Sequence, residues 1–358
     1  MSRFLKVSRT EPASELVELF SSIAQDELKG PWLDGEVTSK TVTVKDVRAL
    51  LQVLFGLGTK LVDNADGKLL PRLVLLNFVV RELADLEVVK QYLSTLTQLE
   101  TEDKSLLTTL ADLYDSFPTT HPARFEIFRS ILQYAKAHGN VNMLIPHLEK
   151  LENYVESWEG VSEAELVGLY WESYEAAQSV NLKLKFLTRF LTSEAHSSID
   201  RVGEAFLEAL RIATSEQLAL IIGQPILKQL PTPLSTLADL ISRGDVTEFQ
   251  SFEQANTAFF TDNNIQASKL LENVRVFSLA WLAKERDEFT FAEVGSLLQV
   301  PATEIDEWIV KAVTSHLISV KINQLEQKIS VIKAVKLAAD HLDLIIGQLS
   351  SWEARLRS

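Results

Sequence analysis

Along most of this chain, apolar residues recur at steps of three and four, the spacing that gathers them on one side of an α-helix. Leu16, Leu19, Phe20 and Ile23 make the first stripe. Val47, Leu50, Leu51, Leu54 and Leu61 make the next, and Leu73, Leu76, Val80 and Leu83 follow Pro71, which suits a first helical turn. Val89, Tyr92, Leu93 and Leu96 continue the pattern, then Leu106, Leu107, Leu110 and Leu113, then Phe125, Phe128, Leu132 and Ala135. Leu144, Leu148, Leu151, Val155 and Trp158 predict a longer helix. Ser162 to Glu165 has the form of a capping box opening a helix with Leu166, Leu169, Tyr170 and Tyr174. Helices with Phe186, Leu187 and Phe190, and with Val202, Phe206 and Leu210, come next. The composition agrees with this pattern. The 358 residues include 56 Leu against only 13 Gly and 10 Pro, which favours helix because Leu loses little rotamer freedom there. Many helices with short links predict stacked helical hairpins, an α-solenoid, although no fixed sequence period appears.

The last quarter reads differently. Phe249, Phe252, Phe259 and Phe260 are predicted on one helix after Gly244-Asp245, and Leu270, Val274, Phe277 and Trp281 on another. A short helix runs from Phe291 to Leu298. Thr303 is expected to cap the next, whose apolar stripe is Ile305, Trp308, Ile309, Val313 and Leu317. Then Ile318, Val320 and Ile322 alternate with polar residues, as do Ile329 and Val331 beyond a short polar link, which is the period of a β-hairpin. Helix, turn, helix and hairpin is the order of a winged helix. Finally Val335, Ala338, Leu342, Ile345, Leu349, Trp352 and Leu356 are spaced 3, 4, 3, 4, 3, 4, a heptad seam.

Chemistry-bearing motifs are missing. There is no cysteine, so thiolate metal sites and a Cys nucleophile are excluded. The six histidines form no paired ligand motif, and no Gly-x-Ser-x-Gly occurs. Asp63 to Gly67 resembles a calcium loop only loosely, because Val62 stands where the first ligand should be. No catalytic, cofactor-binding or metal-ligating residue is therefore assigned. A net charge of −14 argues against a protein that coats nucleic acid. The second helix of the winged helix is acidic at the end that would enter a DNA groove, with Glu304, Asp306 and Glu307 against the single Lys311. No direct DNA binding is expected, and the module is read as a protein-interaction element. No apolar run approaches the ~20 residues of a membrane span, so a cytoplasmic chain without membrane contact is expected.

Helical hairpins, a winged helix and a terminal helix in that order resemble the PCI family, whose members are subunits of the proteasome lid, the signalosome and eukaryotic translation initiation factor three. The likeness is carried by Asn273 to Val331. Upstream, Pro122-Ala-Arg124-Phe125, Ile145-Pro146 and Trp158 resemble the m-type subunits of the initiation factor, as does the wing, Ile318 to Gln324 and Gln327 to Val331. The resemblance implies a helical solenoid over residues 1–175 and a PCI domain over 176–333, with its helical part at 176–286 and its winged helix at 287–333. A C-terminal bundle helix over 334–358 completes the organisation. It also implies a non-catalytic scaffold that helps bring messenger RNA and initiator tRNA to the small ribosomal subunit. Its partners would be other PCI- and MPN-type subunits, and the signalosome or proteasome lid is the alternative assembly. The candidate interface residues are Val320 and Ile322 on the strand and Leu342, Ile345, Leu349 and Trp352 on the terminal helix.

Overall fold

In the computed structural model, residues 83–97, 104–193, 195 and 198–334 are described, with isolated helical positions between 73 and 81. The stripes expected from Leu16 to Leu61 and the heptad seam from Val335 to Leu356 lie outside the described residues. The chain divides into two compact units, Met1–Ser162 and Glu163–Ser358.

In the first unit, α1 (Leu86–Thr97), α2 (Lys104–Ser116) and α3 (Ala123–Ala137) follow the predicted stripes. Both α1 and α2 pack on α3. The apolar positions read from the sequence are the buried ones, from Val89 and Tyr92 to Leu132 and Ala135. The extended helix predicted over 144–158 is instead three pieces: a 3₁₀ turn at Val141–Leu144, α4 (Ile145–Glu149) and α5 (Leu151–Ser157). Pro146 explains the first break, since its ring fixes a first helical turn and it has no N–H to continue one. Lys150 makes the second by leaving helical geometry, with φ −98° and ψ 6°. Leu144, Leu148, Leu151 and Trp158 are still buried, so the stripe marked the core correctly and the continuity wrongly.

The second unit holds α6 (Glu163–Ala176), α7 (Val180–Thr192), α8 (Ile199–Ile212), α9 (Ser215–Ile221), α10 (Leu234–Arg243), α11 (Val246–Ala255), α12 (Thr257–Asp262) and α13 (Ala267–Glu285). After them come β1 (Glu288–Thr290), α14 (Phe291–Leu298), α15 (Ile305–Thr314), β2 (Ile318–Asn323) and β3 (Lys328–Ala334). Successive helices pack on one another, α6 on α7 and α7 on α8, as in a helical solenoid. The molecule is thus mainly helical, with a winged helix at the end of its described residues. A single buried cluster runs from Val167 to Ile329, so the helices and the winged helix share one core.

The helix predicted through the four phenylalanines is broken at Asn256, whose side-chain amide donates to the Phe252 carbonyl at 2.9 Å. An Asn that bonds its own backbone competes with helix continuation. Phe249 and Phe252 nevertheless meet Phe260 edge-on, with ring centroids 6.3 and 6.1 Å apart.

The long helix α13 is the spine of the unit, contacting α10, α11, α14, α15 and both hairpin strands. It packs closely against the turn after α10. Gly244 ends α10 in the left-handed region (φ +69°), and a Cβ there would lie 2.8 Å from the Ser278 backbone nitrogen. The Ser278 hydroxyl bonds the Gly244 carbonyl, and Trp281 Nε1 donates to the Ser242 carbonyl at 2.6 Å.

Candidate protein-interaction surface

The winged helix is built around a three-stranded antiparallel sheet of order β1-β3-β2. The predicted hairpin is β2 and β3, with Val320 opposite Val331 and Ile322 opposite Ile329. The first strand, only three residues long, is too short to show a period and was not foreseen; it pairs Phe289 with Ile329. Between Ser319 and Val320 the register shifts by one, passing over Ile332. This bulge lets Ile318 and Ala334 rejoin the inward face beyond Val331. Ser319, Lys321 and Asn323 occupy the opposite face and are exposed.

Thr290 ends β1 and also caps α14. Its hydroxyl accepts from the Glu293 N–H at 3.3 Å, while Glu293 accepts from the Thr290 N–H at 2.7 Å, a complete capping box. The Thr290 N–H and the Thr290 hydroxyl, both donating to the Glu293 carboxylate, and Arg286 at 3.0 Å hold that carboxyl below its ordinary pKa. At the far end of α14, Gly295 lies where a Cβ would meet Ile305 at 3.3 Å, and so lets α14 and α15 approach closely.

On α15 the buried residues are Ile305, Trp308, Ile309 and Ala312. Two expectations are corrected here. Thr303 does not cap α15; it lies in a 3₁₀ turn, Ala302–Glu304, and the cap position is Glu304, which makes no side-chain capping bond. Val313 is not part of the buried stripe but is 37% exposed, and Ala312 takes its place. At 3.6 residues per turn, Val313 stands about 80° round the helix from Ile305, whereas Ala312 is nearly in line with it. Lys311, the helix's only cation, is occupied: it pairs with Glu307 at 3.2 Å and lies 4.4 Å from the centroid of the Trp308 ring. Arg275 also stands against that indole, at 5.0 Å.

The sequence-picked strand residues differ from each other. Val320 is partly buried against the domain core, and Ile322 is 39% exposed near the end of β2. Among the described residues β2 pairs only with β3, so its other edge carries backbone groups with no strand beside them. Leu325, the one apolar residue in the hairpin link, is 99% exposed. Leu342, Ile345, Leu349 and Trp352 lie outside the described residues.

The upstream motif residues gather in the first unit around one aromatic cluster. Arg124 lies over the Tyr114 ring at 4.4 Å and donates from Nε to the Phe117 carbonyl at 2.9 Å. Trp158 packs edge-on against Phe125 at 5.8 Å and beside Phe128 at 5.7 Å. A cavity of about 360 Å³ adjoins them, with Tyr114, Phe128, Met143 and Tyr154 among its walls. Among the described residues no group of three or more His, Asp or Glu could hold a metal ion. No described helix is long and apolar enough to cross a membrane.

The profile of the PCI domain matches residues 252–333, which run from α11 through the whole winged helix. The chain is 20% identical over 301 residues to eukaryotic translation initiation factor 3 subunit M of Dictyostelium discoideum, covering 80% of this chain and 70% of that protein. It is 23% identical over 243 residues to the subunit of the same name from Chaetomium globosum, covering 62% and 55%. Against that of Nematostella vectensis it is 19% identical over 263 residues, covering 68% and 67%. The chain thus spans from about half to 70% of the length of these relatives. A PCI domain is thus found over residues 252–333, and the chain as a whole is similar to relatives that share one name across distant eukaryotes.

Proposed function

We propose that the chain is a non-catalytic scaffold subunit of the eukaryotic translation initiation factor 3 complex, working in the cytoplasm. Its task would be to help hold messenger RNA and initiator tRNA on the small ribosomal subunit. The observation that carries this reading is the likeness to relatives named for subunit M, over most of a chain whose winged helix presents an acidic helix and, among the described residues, a strand edge with no strand beside it. A free edge takes a neighbour's strand through main-chain hydrogen bonds, which gives a scaffold a geometric means of joining subunits. The neighbours would be PCI- and MPN-type subunits. Residues 334–358 would add a helix to a multi-chain bundle through Leu342, Ile345, Leu349 and Trp352, whose heptad spacing suits such packing.

Purification of the tagged full chain from cells tests the reading. Co-migrating initiation factor subunits and small ribosomal subunit proteins are expected. Recovery with a cullin-type ligase or a proteolytic particle would overturn it. Removing residues 335–358, which leaves β3 whole, should release the chain from its complex while leaving its melting temperature unchanged. A truncated chain that unfolds would show that the helix belongs to the chain's own core.

A further inference from the structure

The side of α15 that faces away from the core has no partner among the described residues, and its chemistry is specific. Val310 is 55% exposed and Val313 37% exposed, three residues apart and therefore on one side of the helix. Asp306 stands one turn before Val310 on the same side and is exposed. Among the described residues the Asp306 carboxylate has no hydrogen bond or ion pair, and Lys311 is held by Glu307 and the Trp308 ring. Acidic residues in a first turn have a local explanation, since they complement the helix dipole. The valines have none. A β-branched residue on a solvated helix face adds neither helix propensity nor solubility. On the buried side Ile305, Trp308, Ile309 and Ala312 already satisfy the core.

We propose that this face seats an amphipathic helix of a partner subunit. That helix would lay an apolar pair, three or four residues apart, against Val310 and Val313. A lysine or arginine one turn along it would meet Asp306. The inference rests on the reading of the chain as a scaffold subunit and adds a second docking surface, distinct from the edge of β2. Charge selects the occupant. Phosphate would be repelled at the acidic end. A two-fold pairing of this face with itself would leave Asp306 without a cation. A basic amphipathic helix satisfies both halves of the surface in the helix-against-face mode of recognition.

The test is a photo-crosslinking residue, p-benzoylphenylalanine, placed at position 310 of the full chain within the complex purified from cells. The expected adduct is a peptide of another subunit with an apolar pair and a neighbouring lysine or arginine. Asp306→Lys should weaken retention of that same subunit at least about fivefold at low salt and progressively less as salt rises, because exposed charge pairs are screened. Val310→Ser together with Val313→Ser should weaken it at any salt. The melting temperature of the valine variant should be unchanged, its altered side chains being exposed, and that of Asp306→Lys only slightly lowered by the lost helix-dipole contact. An adduct with RNA, with a second copy of this chain, with the chain's own residues, or no adduct in an assembled complex would each overturn the proposal while leaving the scaffold reading intact. A chain that does not purify with initiation factor subunits at all would overturn both.

Discussion

The aromatic cluster of the first unit and the winged helix of the second both carry residues that set this chain apart from a generic helical protein, but they use them in opposite directions. Around Tyr114 and Trp158 the distinctive side chains face inward: Phe125, Phe128 and Trp158 are buried, and Arg124 lies against a ring and a carbonyl. In the winged helix the distinctive groups face outward or sit at an edge: Val310, Ile322 and Leu325 are exposed, and among the described residues one side of β2 has no strand beside it. The first region is specified by packing and the second by what it leaves unpacked. Substitutions should therefore act on stability in the first and on assembly in the second.

The largest effect is expected at the centre of the aromatic cluster. Phe128→Ala or Trp158→Ala should destabilise the first unit by about 3–5 kcal/mol, the cost of deleting a buried aromatic ring. Thermal unfolding followed by circular dichroism measures it. Loss of assembly without loss of the fold would break the comparison, because it would make the cluster a contact surface. Next, Gly244→Ala should cost more than about 1 kcal/mol, combining a left-handed backbone with a methyl group 2.8 Å from Ser278 N. Arg124→Met keeps most of the stem and removes the guanidinium, so a loss of about 1–2 kcal/mol is expected from the ring contact and the bond to Phe117.

On the winged helix the expectation reverses. Ile322→Lys should change stability by no more than about 0.5 kcal/mol, as exposed substitutions do, yet reduce recovery of partner subunits in a pull-down. Val320→Pro removes a backbone donor from β2 and should do the same. Because Val320 is partly buried, its melting temperature must be measured alongside. Unchanged assembly by a folded Val320→Pro chain would remove β2 from the list of docking edges.

How much of this was readable beforehand follows the same division. Period three-and-four marked the buried residues of α1, α2 and α3, because a helix with one buried face writes that period into its sequence. It failed wherever a local bond or ring overruled it. Pro146 interrupted one predicted helix, and Asn256 another through its bond to Phe252. The hairpin was legible since period two has no helical reading, but three-residue β1 is recognised only by its partner Ile329. Val313 was misplaced because valine at an i+8 step passes for core; only the packing shows Ala312 there instead. That same error hid the exposed face of α15. The only signal was negative: the stripe was one apolar residue wider than a single buried face requires.

The smallest effect separates local from tertiary sources of order in the winged helix. Glu293 is exposed, so its lowered pKa reflects bonds to Thr290 and Arg286 rather than burial. In the unfolded chain the carboxyl titrates near its ordinary value of 4.5. A group whose folded pKa is depressed contributes stability that is fully present above the unfolded pKa and is lost as pH falls through the folded one. Glu293→Gln should therefore lower stability slightly at neutral pH, and the gap between the two chains should close as the pH falls below 4.5. Denaturant titrations of both chains at pH 7 and near pH 3 measure the gap at each end. Thr290→Ala should also lower stability at neutral pH, because it removes the hydroxyl that accepts from the Glu293 N–H. If the gap between Glu293→Gln and the parent chain is the same at both pH values, the link from β1 to α14 is held by the amide-compatible part of the capping box and by packing, and the charge contributes nothing.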